Sequence, residues 1–419
     1  MTELHIALVL VGGLVLVLGL FSGYIKDRTF LSEPLLALLA GVVIGPAVLD
    51  LLDPSRWGDQ DIVLEEAARL TLAIGLMGVA LRLPSGYMAR HWRPLAVLIL
   101  IVMPLMWLSS GLLIYLFLGL PIGVAMLAGA VVTPTDPVVA TSIVTGSAAK
   151  RDLPDRLRHL LSAESGANDG LAYPIVFICI LLLTRPLDDA LPHWLLRTLL
   201  WDVGIAVLAG ALLGYVAGRV LLWAESHKSI ENTSFLVYSI ALSLIVLGGA
   251  RLLGTDGVLA VFAAGIAFGA TVGGRERSEE AGVQEAVGQF LILPIFAVLG
   301  LALPWRDWLE LGWWSVPLVA AILLFRRLPW ILALNRLISP LQRKEDVGFL
   351  GWFGPIGVAA LLYSMTALGN TDYEEVWVVG SLVICASIVA HGVTATPLTK
   401  LYARRTGYHG PEDEDSVER

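Results

Sequence analysis

Apolar residues in this chain do not alternate, and they do not line one face of a helix. They run on for about 18 to 25 positions at a time, separated by short polar stretches. A helix of that length crosses a hydrocarbon core of roughly 30 Å. The pattern predicts spans at 4–23, 31–49, 65–83, 94–119, 121–145, 157–184, 196–223, 233–253, 256–273, 286–303, 311–334, 347–368 and 376–400. The expected fold is therefore an all-α polytopic membrane protein of about thirteen transmembrane helices in a lipid bilayer. Residues 1–405 form the transmembrane domain and 406–419 a short acidic cytoplasmic tail. No basic residue precedes the first apolar run and no small-residue cleavage site follows it, so it reads as a retained helix.

Composition agrees with that class: 57% of the 419 residues are hydrophobic and 15% charged, against about 25% charged in soluble domains. Much of the net charge of -8 sits in Pro411-Glu412-Asp413-Glu414-Asp415, which reads as a solvated tail. The two cysteines, Cys179 and Cys385, lie inside apolar segments and suggest packing, not a disulfide framework or a metal cluster.

Basic residues favour alternate loops. Lys26 and Arg28, Arg82 to Arg93, Lys150 to Arg158, Arg219 and Lys228, Arg275 and Arg277, Arg336 to Lys344, and Lys400 to Arg405 all lie near the ends of odd-numbered spans or in the loops after them. The positive-inside rule then puts the N-terminus outside and the C-terminus in the cytoplasm.

Two spans are interrupted, the fifth by Thr133-Pro134-Thr135-Asp136-Pro137 and the twelfth by Gly351-Trp352-Phe353-Gly354-Pro355-Ile356-Gly357. Proline removes a backbone donor and glycine loosens the helix, so peptide groups are freed at membrane depth. The two lie seven spans apart, the spacing expected of equivalent helices in two inverted six-helix repeats joined by a connector. Ordinary proline kinks are the alternative.

Charged groups within spans are costly and mark functional candidates. The fifth span carries Asp136, and the sixth carries Ser162-Ala163-Glu164-Ser165-Gly166-Ala167-Asn168-Asp169-Gly170. Glu164 and Asn168 are four apart, as are Ser165 and Asp169, which makes two adjacent polar stripes on one helix. Asp169, the Ser165 hydroxyl, Thr135 oxygens and freed carbonyls in the break supply the oxygen ligands a hard monovalent cation needs. Arg326 and Arg327, in the eleventh span, are candidate partners for Glu164, unless they snorkel to the interface.

The set Thr135-Asp136-Pro137, Glu164-Ser165 and Asn168-Asp169 resembles the NhaP-type branch of monovalent cation/proton antiporters, and the Gly351 to Gly357 segment resembles the fungal plasma-membrane exchangers. The resemblance implies that Asp169 is the carboxylate binding transported ion and proton, with Asn168 beside it holding the broken helices. It implies that Thr135, Ser165 and Asp136 are ion-site or helix-crossing residues. Glu164 would form a buried structural pair with Arg326, or as second choice Arg327. A homodimer is implied too, with core and dimerisation bundles interleaved. Two departures stand out: Leu76-Met77-Gly78-Val79-Ala80-Leu81 lacks the third-span acid of many members, and Ile356 replaces an arginine.

The expected activity is exchange of Na+ (or Li+ or K+) for H+ at one carboxylate, electroneutral and one for one, serving pH and cation homeostasis. No cofactor is expected. No phosphate-cradling loop is evident, which argues against a nucleotide-driven pump, and nothing points to nucleic acid. A cation channel or another ion-coupled carrier would use the same oxygens. An intramembrane aspartyl protease would need Asp136 and Asp169 to share a proton, a use that Asn168, Ser165 and Thr135 fit less well than cation coordination.

Overall fold

A computed structural model describes residues 2–28, 31–137, 139–140, 144–227, 235–273 and 292–410. Lys228, Arg275, Arg277, the start of the 286–303 span and the acidic run from Pro411 lie outside the described residues. Among the described residues no strand occurs.

The chain forms α1 (Thr2–Arg28), α2 (Glu33–Ile44), α3 (Gln60–Arg82), α4 (Trp92–Leu118), α5 (Ile122–Val131), α6 (Asp155–Thr184), α7 (Leu187–Ser226), α8 (Phe235–Leu252), α9 (Gly257–Val272), α10 (Ile292–Leu301), α11 (Ser315–Leu337), α12 (Lys344–Trp352), α13 (Val358–Asn370) and α14 (Glu375–Thr406). Among the described residues α4, α6, α7, α8, α11 and α14 are each long and apolar enough to cross a membrane unaided. The expected fifth and twelfth spans are divided as their prolines and glycines dictate. α5 stops at Val131, because Pro134 and Pro137 cannot donate and push the residues before them out of helical geometry. The twelfth span splits into α12 and α13 around Phe353 to Gly357.

A third interruption was not anticipated. α11 bends at Arg326–Arg327, where Pro329 cannot donate to the Phe325 carbonyl four residues earlier. This bend turns both guanidinium groups inward: Arg326 is 3% and Arg327 2% exposed, so neither snorkels to the interface.

Small residues set how closely helices approach. α7 lies along α9, and a Cβ at Gly210 or Gly214 would collide with the backbone of Ala260 or Ala264. α9 packs in turn on α3, whose Leu76 to Leu81 stretch meets Gly265 through Met77 and Ala80. That stretch, where an acid was missed, is an apolar packing surface. Cys179 and Cys385 are free and buried.

Candidate ion-binding site

The first half of α6, Asp155–Leu171, is unusually polar for a span, yet every residue from Ser162 to Gly170 is buried. Neighbouring helices therefore have to provide what water would have supplied. Glu164, Ser165, Asn168 and Asp169 are all fully enclosed. The four-residue spacing places Glu164 and Asn168 in contact, with Asn168 Nδ2 donating to Glu164 Oε1 at 2.9 Å.

Asn168 joins α6 to the first break. Its Oδ1 accepts the Thr135 amide at 3.0 Å, and its Nδ2 also donates to Thr135 Oγ1 at 2.6 Å. Both amide hydrogens and the carbonyl are thereby used, which makes Asn168 the clamp on the interrupted strand of backbone. Thr135 Oγ1 in turn lies 3.0 Å from Ser165 Oγ. A hydroxyl from the first break and one from α6 thus stand side by side, the latter one turn from Asp169.

The two breaks cross each other. The Asp136 amide donates to the Pro355 carbonyl at 2.7 Å, and the Asp136 carboxylate accepts the Val358 amide at the start of α13 and, at 3.4 Å, the Val139 amide. A negative group at the exposed amides of a helix N-terminus is favoured by the helix dipole. The opposite end is treated with opposite charge: Arg326 donates to the carbonyls of Val132, Thr133 and Pro134 after α5, and to that of Gly354 after α12. Of these, the Thr133 and Pro134 carbonyls belong to the break expected to offer oxygens to an ion; here they accept from the guanidinium, whose five fixed donors need acceptors in a dry site. Gly357 allows the close crossing, since a Cβ there would collide with the Asp136 carboxylate.

Glu164 pairs with Arg327, not with Arg326, reversing the order of preference read from the sequence. Arg327 Nη1 meets Glu164 Oε1 at 2.7 Å and Nη2 meets Oε2 at 3.0 Å, a two-pronged contact, while Nε donates to the Leu350 carbonyl at 3.0 Å. Arg327 turns toward α6, whereas Arg326 turns toward the carbonyls of the two breaks.

Asp169 stands apart from this web. It is 0% exposed, and neither carboxylate oxygen has a hydrogen-bond partner, although Glu164, Asn168, Thr135 and Asp136 around it are all engaged. Its backbone carbonyl accepts from the Tyr363 hydroxyl of α13 at 2.5 Å, which fixes the backbone and leaves the carboxylate to other uses. A dry, unpaired carboxylate is tolerable only when a proton or a cation neutralises it.

Several polar residues escaped the sequence reading. Arg156, Asp346 and Tyr402 bind together where α6, α12 and α14 meet, with Arg156 Nη2 3.1 Å from each Asp346 oxygen and Tyr402 Oη donating to Asp346 at 2.5 Å. Asp202 of α7 accepts from Tyr173 at 3.2 Å and pairs with Arg197 at 3.2 Å. Asp256 caps α9 through the Val258 and Leu259 amides and keeps its second oxygen unpartnered. Asp202 lies inside a predicted span, so the rule that flagged Asp169 should have flagged it as well. Tyr363 and His391 carry no charge pattern that could have singled them out.

A polytopic helical bundle whose interrupted helices cross beside a buried, unpaired carboxylate has the architecture of a secondary transporter. The chain matches the sodium/hydrogen exchanger, transmembrane family over residues 13–401, and it belongs to that family. It is 33% identical to Na(+)/H(+) antiporter 2 of Zygosaccharomyces rouxii over 88% of this chain and 47% of that one, so it spans about half the length of that relative. It is 29% identical to the Na(+)/H(+) antiporter of Schizosaccharomyces pombe, over 93% of this chain and 89% of that one. Its fold is similar to the sodium proton antiporter MjNhaP1 from Methanocaldococcus jannaschii at pH 8, with a TM-score of 0.67 at 19% identity, covering 95% of this chain and 98% of that one. The protein is thus a multi-pass membrane protein with the NhaP-type fold.

Proposed function

We propose that the chain is a secondary-active antiporter that exchanges Na+, or Li+ or K+, for H+ at Asp169. The observation that carries the reading is the pair of unpartnered Asp169 oxygens in a site where the neighbouring charges are compensated. Thr135 and Ser165 complete an oxygen set with Asp169, while Asn168, Asp136, Arg326 and the Glu164–Arg327 pair hold the crossing in shape. Proton and cation exclude each other because either one neutralises the same carboxylate. Movement of one bundle against the other then exposes it to each side in turn. The names of the similar fungal proteins favour Na+ as substrate. The carrier works as a homodimer in the cell membrane, with its N-terminus outside and its C-terminus in the cytoplasm, as the distribution of basic loop residues supports.

The test is cation-driven dissipation of a pH gradient in proteoliposomes, measured for Na+, Li+ and K+ separately. Asp169→Asn should remove exchange with every cation while eluting as a folded protein in size-exclusion chromatography. Exchange persisting in that variant overturns the assignment.

A further inference from the structure

α12 and α14 run antiparallel and separate along part of their length, leaving an open groove of about 360 Å³. Phe349, Trp352, Leu398 and Leu401 form its apolar walls, and Lys344 and Arg405 stand at one end. That end is one membrane face, since Lys344 begins α12, Arg405 lies in the last turn of α14, and Arg343 Nη1 ties the two by donating to the Thr406 carbonyl at 2.7 Å. Trp352 lies eight residues further along α12, which is about 12 Å toward the membrane interior at 1.5 Å per residue. Glu345 also lines the groove, leaving two cations against one carboxylate. The chemistry is amphipathic in the way of a phospholipid, cationic where a headgroup lies and apolar where acyl chains lie.

We infer that this groove between α12 and α14 binds one acidic phospholipid, its phosphate at Lys344 and Arg405 and an acyl chain along Phe349, Trp352, Leu398 and Leu401. Charge complementarity selects the occupant. Basic residues at the cytoplasmic ends of spans attract anionic headgroups, and the groove's net excess of one cation over carboxylate favours a headgroup of net negative charge over a zwitterionic one. The groove borders the crossing described above. Trp352 Nε1 donates to Thr394 Oγ1 at 3.0 Å, and the Trp352 carbonyl accepts from His391 Nε2 at 3.0 Å. Two residues on, the Gly354 carbonyl accepts from Arg326. A bound lipid therefore braces α12 against α14 next to the interrupted backbone, and its binding raises the thermal stability of the full chain.

Gly348 offers a direct probe, because it lines the groove and a Cβ built on it meets nothing within 4 Å. The full-length protein, purified in detergent, is mixed with equal amounts of phosphatidylglycerol and phosphatidylcholine, and retained lipid is counted by native mass spectrometry. The wild type should retain phosphatidylglycerol in preference and melt at a higher temperature with it. Lys344→Gln and Arg405→Gln, both at exposed positions, should each lower that preference by about fivefold. Gly348→Leu should fill the groove and lose the retained lipid together with the thermal shift. Wild-type retention in Gly348→Leu, or equal retention of both lipids by the wild type, would show lipid held only around the perimeter and overturns the inference. So does increased retention after deletion of residues 411–419, which would make the acidic tail the occupant. None of these readouts depends on ion exchange, so they stand or fall separately from the proposed activity.

Discussion

The Glu164–Arg327 contact gives the sharpest quantitative expectation. Both side chains are about 2% exposed and meet through two N–H···O bonds of 2.7 and 3.0 Å. Removing one partner of such a pair leaves a charge without water or counter-ion, at a cost of about 3 to 5 kcal/mol. Glu164→Leu and Arg327→Met are each expected to lose that much. The double variant removes both charges, and two lesser losses remain. Asn168 loses one acceptor and the Leu350 carbonyl loses its donor, about 1 to 3 kcal/mol each. The double variant should accordingly be more stable than the sum of the singles by about 2 kcal/mol or more. Reversible denaturant unfolding in micelles measures the cycle, with thermal midpoints as a second readout. The parallel cycle of Glu164 with Arg326 should give a smaller coupling, because Arg326 is held by carbonyls of both breaks. Additivity for Arg327 within about 0.5 kcal/mol, or stronger coupling to Arg326, would refute the pairing.

Three further expectations concern the crossing and the ion. Gly357→Ala should push the Asp136 carboxylate off the α13 amides, costing the about 0.5 to 2 kcal/mol of a helix N-cap, and should slow exchange; a wild-type melting temperature and rate would show the crossing to be looser than described. Thr135→Val and Ser165→Ala should raise the cation concentration for half-maximal exchange, since each removes a hydroxyl oxygen while leaving Asp169 in place; an unchanged value in both would remove the hydroxyl pair from the ligand set. Exchange should be electroneutral, with flux reversing where the cation and proton gradients balance one to one. A potential imposed with valinomycin and K+, once K+ is shown not to be a substrate, should drive no Na+ accumulation, and reversal nearer two protons per Na+ would make a second group, Asp136 first, a carrier of protons.

The division between what was legible in the chain and what was not follows from the range of the forces involved. Long apolar runs need a hydrocarbon solvent wherever they end up, so the membrane class and the approximate positions of the helices are local properties. Proline's missing donor is equally local, and it announced the breaks after Val131 and after Trp352. The polar stripe on α6 was readable for the same reason: buried charge is expensive in any fold, so Glu164, Asn168 and Asp169 had to matter. Local rules could not say which partner each charge would find. Arg326 and Arg327 are adjacent and chemically identical, and only the tertiary packing sends one to the carbonyls of two broken helices and the other to the Glu164 carboxylate. The same packing gives Asp136 to the α13 amides, Asn168 to Thr135 and the Asp169 backbone to Tyr363. What remains is the buried Asp169 carboxylate without a hydrogen-bond partner, a feature that emerges only once every neighbouring group, most of them distant in sequence, has been placed.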